Sequence, residues 1–236
     1  MLEATMSVGP LKTILKGLQA VGEESILEFS PDGLLIRLVD TNRVKVLQVS
    51  ADSDAFDSYQ CEGTHRLGVM LSRIKDITKS LTTKDTIDMK YSDSKFIMSA
   101  KDMERTIKLL RLELLYDLKS MPSYDFTFNT EIESSKEIRD YLKTLDKIPV
   151  FQIAVKENGM AWETLEKEEQ ISWKPTLDLK TEDDFSLLFT TQHMSDIVAA
   201  TSKESIKVRG ADGLPLEFQW TPHEGIQMTG LIAPRV

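Results

Sequence analysis

The chain has 236 residues, of which 41% are hydrophobic and 28% are charged, and its formal net charge is −9 at neutral pH. This composition is typical of a globular protein with enough apolar residues for one large domain or two small ones, and no apolar run approaches the ~18 residues that a membrane-spanning helix needs. The single cysteine, Cys61, excludes an internal disulfide, and the N-terminus lacks the basic flank and apolar stretch of a secretion signal, so we expect an intracellular protein.

The first half of the chain begins with the pattern of an amphipathic helix. Apolar residues recur at positions 11, 14, 15 and 18, the spacing of one helical face. Two strand-like runs follow, and the Asp32-Gly33 turn signal between them predicts a hairpin. The predicted elements of this half are a helix over 11–18, strands over 26–29 and 34–38, a helix over 71–79, and strands over 86–90 and 95–99.

The second half repeats this order. When the two halves are aligned, Lys12 falls on Arg139 and Lys16 falls on Lys143, so the cations repeat together with the predicted elements. We therefore predict an α+β fold of two similar domains, each with two units of one helix plus antiparallel strands. The predicted elements of this half are a helix over 138–145, a strand over 151–155, a turn over 157–159, a strand from 160, a helix over 190–200, and strands over 205–209 and 216–220.

The positive charges of this acidic chain are concentrated on its predicted helices. Lys136, Arg139, Lys143 and Lys147 are three or four residues apart, which places them on one helical stripe. One interpretation is an ordinary solvated helix face. The other is a surface that holds a polyanion while the negative remainder of the protein repels it.

No pattern of catalytic or cofactor-binding residues occurs. The three histidines lack metal-ligand spacing, and neither a Cys-x-x-Cys pair nor a glycine-rich phosphate loop is present. We therefore expect no enzyme, no metal and no cofactor, although an enzyme with a dispersed site stays a remote alternative.

Three separated blocks resemble the proliferating cell nuclear antigen family, the DNA sliding clamps of archaea and eukaryotes. They are residues 38–47, residues 56–69 and the C-terminal run 231–235. The resemblance implies a closed trimeric ring with helices inside and sheets outside, which surrounds duplex DNA without reading its sequence. It also implies that the ring tethers DNA polymerase and other replication and repair enzymes through short peptide motifs, and that a clamp loader opens it. Domains over 1–114 and 124–236 would then be joined by a connector over 115–123.

In such a ring the helix cations face the DNA, and phosphate contacts without base contacts suit a protein that slides. The fourth helix departs from this pattern, because between 190 and 200 it offers only His193. We expect Lys12, Lys16, Arg139 and Lys143 to contribute most. The full set of expected DNA-facing residues is Lys12, Lys16, Arg73, Lys75, Lys79, Lys136, Arg139, Lys143, Lys147 and Lys203.

The resemblance also implies a pocket for client peptides beneath the connector and beside the C-terminus. Arg43 and Leu231 differ from the histidine and the aromatic residue of eukaryotic members, which predicts a different peptide preference. The alternative interpretation is that some of these apolar residues belong to the core. The pocket residues implied are Val39, Arg43, Val44, Val46, Leu118, Met121, Pro122, Pro215, Leu231, Ile232, Ala233 and Pro234.

Ring closure requires a head-to-tail contact that closes after three copies. Residues 105–112 are predicted as an edge strand. The resemblance implies that this strand pairs near residues 170–173 of the next subunit, with Ile107, Leu109, Arg111, Ile171 and Trp173 at the interface. A subunit of a heterotrimeric clamp, of replicative or checkpoint type, is the alternative to a homotrimer. The short chain favours an archaeal or viral-like origin and hence the cytoplasm, or the nucleus if the source is a eukaryote.

Overall fold

The computed structural model describes residues 1–157, 159–166, 170–179, 181 and 184–235. Asn158 of the predicted second-half turn lies outside these residues. The helices are α1 (Val8–Gln19), α2 (Leu71–Thr78), α3 (Ser135–Thr144) and α4 (Thr191–Ile197). The strands are β1 (Leu2–Ser7), β2 (Glu24–Ser30), β3 (Gly33–Val39), β4 (Lys45–Asp52), β5 (Ser58–Cys61), β6 (His65–Met70), β7 (Thr86–Ser92), β8 (Lys95–Ala100), β9 (Met103–Ile107), β10 (Phe128–Ile132), β11 (Val150–Lys156), β12 (Gly159–Thr164), β13 (Ser172–Trp173), β14 (Phe185–Thr190), β15 (Ile206–Gly210), β16 (Leu216–His223) and β17 (Ile226–Ile232). Short 3₁₀ turns lie at Ser53–Ala55, Leu112–Leu114 and Val198–Ala200.

The described residues form two compact units. The second unit includes a short segment from the first half of the sequence, and the first unit includes a segment from near the C-terminus. Unit 1 contains Met1–Asp40, Leu47–Met121 and Thr221–Met228, and unit 2 contains Thr41–Val46, Pro122–Trp220 and Thr229–Val236.

The sheets confirm the α+β prediction. Unit 1 contains a five-stranded sheet in the order β5-β1-β7-β8-β9, and its strands β4, β3, β2 and β6 neighbour one another in that order. Unit 2 contains a four-stranded sheet, β13-β12-β11-β14, and a second run in the order β10-β15-β16-β17. The pairings of described register in these sheets are antiparallel.

The helices begin where strands end. Helix α1 starts directly after β1, α2 directly after β6, and α4 directly after β14. In unit 1 the predicted apolar face of α1, with Leu11, Ile14 and Leu18, is buried. Together with side chains of the two sheets it surrounds a cavity of only about 20 Å³, so this core is closely packed.

An aromatic cluster forms part of the unit 2 core. Trp162 is fully buried and stacks on Phe151 at 5.5 Å between ring centroids. Tyr141 of α3 contacts both rings edge-on at 6.1 Å. Burial raises the pKa of the Tyr141 phenol, with a smaller contribution from the nearby Glu163 carboxylate. This cluster holds α3 on the four-stranded sheet.

Strand β9 differs from the predicted edge strand over 105–112, because it begins at Met103 and ends at Ile107. The chain then leaves the sheet, and Leu110 N donates to Gly68 O at 2.8 Å in an isolated bridge to β6. A Cβ at Gly68 would lie 2.8 Å from Leu110 O, so only glycine permits this approach. The edge strand is therefore shorter than its sequence pattern indicates.

Candidate nucleic-acid and partner surfaces

The two helices of each unit contact each other, α1 with α2 and α3 with α4. In unit 1 the buried face of α1 leaves Lys12 half-buried and Lys16 exposed, four residues apart on the opposite side. In unit 2 the exposed side of α3 carries Lys136 and Lys143. Each helix pair thus has an apolar side toward its core and a side with lysines toward solvent.

Two cations at equivalent positions of the sequence repeat are tied to backbone carbonyls. Lys12 Nζ donates to Leu81 O at 2.6 Å, shortly after the end of α2. Arg139 donates in the same way to Ser202 O, which follows the 3₁₀ turn after α4. Carbonyls near a helix C-terminus lack partners within the helix and attract cations. These two side chains therefore connect the first helix of each pair to the segment after the second, and they are less available to an external anion.

An aspartate binds two cations on the solvent side of each helix pair. In unit 1, Asp76 lies 2.7 Å from Lys79 and 3.6 Å from Arg105. The Lys79 ammonium, followed by Arg105, holds the pKa of the Asp76 carboxyl below its ordinary value.

In unit 2, Asp140 binds Lys136 and also lies 3.1 Å from Lys143. Lys136 and then Lys143 lower the pKa of Asp140 in the same way. These cations are thus partly neutralised before any DNA approaches.

The other expected DNA-facing residues have exposed side chains that donate to no acceptor among the described residues. Helix α3 ends at Thr144, ahead of Pro149, so Lys147 lies beyond the helix and does not extend its stripe as the spacing predicts. The exposed cations of the expected set that have no side-chain partner in the described part of the chain are Lys16, Arg73, Lys75, Lys147 and Lys203.

Helix α4 makes structural contacts, whereas the other three helices carry lysine and arginine side chains. His193 is half-buried, and Asp196 binds Lys45 Nζ at 2.5 Å. Gln192 donates to the second oxygen of Asp196 at 2.8 Å. Lys45 is 9% exposed, so the pair is nearly buried and its loss would leave an uncompensated charge. Sequence reasoning missed this pair, although a lysine inside the apolar run 44–47 was a signal for it.

Part of the expected client pocket comes together in unit 2. Ala233 N donates to Val44 O at 2.9 Å, which places the segment Thr41–Val46 beside the C-terminal run. Arg43 has a positive φ of 57°, a strained conformation for a residue with a side chain. Pro215 and Pro234 are half-buried. The expected pocket residues of unit 1, which are Val39, Leu118 and Met121, are also half-buried. Pro122, in unit 2, is half-buried as well.

Three residues of the expected pocket belong to the core. Leu231 is 3% exposed, Ile232 is fully buried and Val46 is 9% exposed. Their side chains support the surface from within and offer almost no area to a peptide.

Two of the expected interface residues, Ile107 and Trp173, lie on edge strands, and the other three lie just outside these strands in the sequence. Strand β9 is an edge of the five-stranded sheet of unit 1, and β13 is an edge of the four-stranded sheet of unit 2. Ile107 is buried, whereas Leu109 and Ile171 are half-buried and Arg111 is exposed. Trp173 stacks on Tyr141 at 5.8 Å, so part of this ring is already used within unit 2.

Two further observations concern membrane-spanning helices and metal sites. No helix among the described residues is both long and apolar enough to cross a membrane. In the same part of the chain, no three histidine, cysteine, aspartate or glutamate residues are grouped so that they could hold a metal ion.

Comparison with known proteins identifies the relatives of this chain. Residues 1–121 match the family described as proliferating cell nuclear antigen, N-terminal domain. The chain is 24% identical over 226 residues to DNA polymerase sliding clamp 1 of Thermococcus kodakarensis, and 21% identical over 226 residues to the DNA polymerase sliding clamp of Pyrococcus horikoshii. Each alignment covers 91% of this chain and 90% of the relative.

A solved structure of A. fulgidus PCNA with the bound C-terminal region of FEN-1 has the same fold. The TM-score is 0.92 at 20% identity, and the match covers 100% of this chain and 99% of the other. Because the matched family domain spans more than half of the sequence, the chain belongs to the proliferating cell nuclear antigen family.

Proposed function

We propose that this chain is a DNA sliding clamp, of which three copies close into a ring around duplex DNA. The ring slides and tethers DNA polymerase and other replication and repair enzymes, and a clamp loader opens it. The ring stays on DNA because it encloses the duplex, and it binds its client enzymes without catalysing a reaction. The proposal therefore assigns no catalytic residue and no cofactor. The sliding-clamp relatives and the family membership support this function.

The observation that carries the DNA-binding role is the charge distribution of the helix pairs. The protein has a net charge of −9, yet Lys16, Arg73 and Lys75 are exposed on the unit 1 helices and have no side-chain partner among the described residues. Contacts between such cations and phosphates release counterions and carry no sequence information. Weak contacts of this kind suit a ring that is held on DNA by topology.

For the client site, the proposal uses the expected pocket residues that keep accessible surface. These are Val39, Arg43, Val44, Leu118, Met121, Pro122, Pro215, Ala233 and Pro234. Eight of these nine residues are apolar, and accessible apolar side chains suit the docking of a short peptide.

For the ring, the proposal pairs β9 of one subunit with β13 of the next. An unpaired strand edge presents free backbone donors and acceptors, which a neighbouring edge can satisfy. Leu109, Arg111, Ile171 and Trp173 would flank this contact, and Ile107 would support it from the core. Because the two sliding-clamp relatives are from archaea, we place the protein in the cytoplasm.

The ring is tested by the solution mass of the purified chain and by its effect on a polymerase copying primed circular DNA. We expect a trimer that lengthens the products made in one binding event. Leu109→Asp and Ile171→Asp should each give monomers without stimulation, whereas Lys95→Asp, in an exposed hairpin, should keep both properties. A wild-type chain that stays monomeric until other subunits are added would indicate a heterotrimer, and a trimer without stimulation would contradict the function.

The client site is tested with a labelled peptide of the FEN-1 C-terminal region. Ala233→Asp and Pro234→Asp place a charge on accessible apolar surface, so we expect at least about tenfold weaker binding with the trimer intact. Thr221→Asp, at an exposed position of unit 1, is the matched control. Equal peptide affinity in all variants would exclude this surface.

A further inference from the structure

Two arginines of unit 1, on the two strands that flank β2, hold the segment that leads into the expected connector. Arg37 of β3 donates through Nη1 to Lys119 O at 2.9 Å. Arg66 of β6 binds Asp117, with 2.5 Å between Nη2 and Oδ1. These contacts join residues that are far apart in the sequence. They fix the backbone at one point and a side chain at another, on a stretch that has no regular structure.

The two guanidinium groups are themselves oriented by the sheet. Arg37 Nε donates to Gln48 Oε1 at 2.8 Å. Arg66 Nε lies 3.1 Å from Oε2 of Glu28, the residue directly opposite it in the β2–β6 ladder. Each arginine therefore has one contact that sets its direction and another that holds the connector.

A cavity of about 220 Å³ lies where the connector crosses this face of the sheet. Ile26, Leu35 and Leu118 supply its apolar walls, and the two arginines with Glu28, Asp117 and Lys119 supply its polar walls. Close packing alone therefore does not fix the connector here, and the polar contacts take on that role.

The charges around Asp117 favour a stable contact between its carboxylate and Arg66. Lys119, followed by Arg66, lowers the pKa of the Asp117 carboxyl, so it stays ionised across the physiological range. The Arg66 and Asp117 side chains are only 30% and 27% exposed, so water and salt screen their attraction less than in an open surface pair.

We propose that Arg37 and Arg66 are positioning residues for client binding, which hold the connector on the sheet so that Leu118 and Met121 are presented to a client peptide. This inference rests on the proposed function, because it assumes that the connector contributes to the client site. A connector ordered in advance loses less conformational entropy when the peptide binds, and the affinity is correspondingly higher.

The test uses the full-length ring with the variants Arg66→Gln and Arg37→Gln, and Lys95→Gln as a matched control that removes one exposed positive charge from the same unit. Hydrogen exchange of the amides in 115–121 measures the order of the connector, and the labelled FEN-1 C-terminal peptide measures client affinity. Thermal unfolding checks that each variant is folded.

We expect both arginine variants to exchange faster in 115–121, with β2, β3 and β6 unchanged, and to bind the peptide roughly threefold to tenfold more weakly, the effect of removing one charge-assisted hydrogen bond. Lys95→Gln should match the wild type. Arg66→Lys, which keeps a positive charge facing Glu28 and Asp117, should recover part of the order and affinity that Arg66→Gln loses, because it restores the attraction without the fork geometry of the guanidinium.

Unchanged exchange in the connector overturns the proposal, and so does faster exchange with unchanged affinity. A wild-type ring that does not bind the peptide instead overturns the client-binding part of the proposed function. The two failures are therefore distinguishable, since the first requires a wild type that binds.

Discussion

The helix pairs of the two units carry similar cations in the sequence, but they differ in which of these cations have a partner among the described residues. At one repeated position they agree, because Lys12 and Arg139 are both tied to a carbonyl of the neighbouring segment. At the next position they differ, because Lys16 has no acceptor among the described residues, whereas its counterpart Lys143 lies 3.1 Å from Asp140. The number of cations in unit 2 therefore overestimates how many of its side chains are available to bind DNA phosphates.

The difference comes from one acidic residue at helical spacing. Asp140 is four residues after Lys136 and three before Lys143, so it reaches both on the helix surface. The positions three and four residues from Lys16 are occupied by Lys12, Thr13, Gln19 and Ala20, none of which is acidic. In unit 1 the aspartate with two cations is Asp76 of α2, which binds Lys79 and Arg105, while Lys75 has no acceptor among the described residues.

The largest effect is expected when free cations are removed from unit 1. The double variant Lys16→Gln, Lys75→Gln should lower the slope of log affinity against log salt for duplex DNA, by about 0.9 for each phosphate that the variant no longer neutralises. The double variant Lys136→Gln, Lys143→Gln should lower it less, because those lysines must first leave Asp140. Anisotropy of a labelled duplex at several salt concentrations measures both. Equal reductions would mean that the units contribute alike.

Freeing the lysines of unit 2 should have the next largest effect. Asp140→Asn removes the partner of Lys136 and Lys143, so DNA affinity should rise a few-fold and unit 2 should behave more like unit 1. Asp146→Asn, just beyond α3, removes the same negative charge without releasing a lysine and is the matched control. A rise of the same size in both variants would assign the effect to net charge alone.

The two tied cations should affect stability more than DNA binding. Lys12→Met and Arg139→Met each remove a hydrogen bond from a helix to the segment that follows the other helix of the pair, at a cost of about 1 kcal/mol. In a chain of this length, that corresponds to a melting temperature lower by roughly 2–4 °C. The salt slope for DNA should stay near that of the wild type. Weaker DNA binding at unchanged stability would show that these side chains reach the phosphates instead.

Acid should produce the smallest effect, confined to low pH. The folded pKa of Asp140 is below its ordinary value of 3.8, so its ion pairs stabilise the fold above the unfolded pKa, and this contribution is lost as pH falls through the folded pKa. Between pH 7 and the acid range, the melting temperature of the wild type should fall slightly more than that of Asp140→Asn. Parallel pH profiles would show that the pairing of Asp140 with Lys136 and Lys143 adds no stability.

The elements best predicted from the sequence are those whose pattern is strongly periodic. Helix α1 and the hairpin of β2 and β3 were predicted because one of their faces is buried and a tight turn joins the strands. At Gly33 an added Cβ would collide with Ala51 O, and φ is 138°, which explains why the turn signal required glycine. Strand β17 was missed by pattern alone, because six of its seven residues are buried and alternation is absent.

For the candidate surfaces, the residue types were predictable and their availability was not. The spacing of Lys136, Arg139 and Lys143 correctly placed all three on α3, but it could not separate a cation bound to a carbonyl from one shared with an aspartate. The C-terminal run 231–234 was expected to line a pocket, and burial divides it into the core residues Leu231 and Ile232 and the accessible Ala233 and Pro234. Each of these distinctions depends on neighbours that are distant in the sequence.

The sequence by itself determined the fold class, the repeated order of helices and strands, and the concentration of positive charge on helices, because these properties follow from local periodicity and residue type. Only the tertiary structure decided which cations are free, which pocket residues are core, and how Arg37 and Arg66 hold the connector. The physical reason is that burial and pairing depend on contacts made across folded strands and helices, and a side chain's chemistry is set as much by those contacts as by its own atoms.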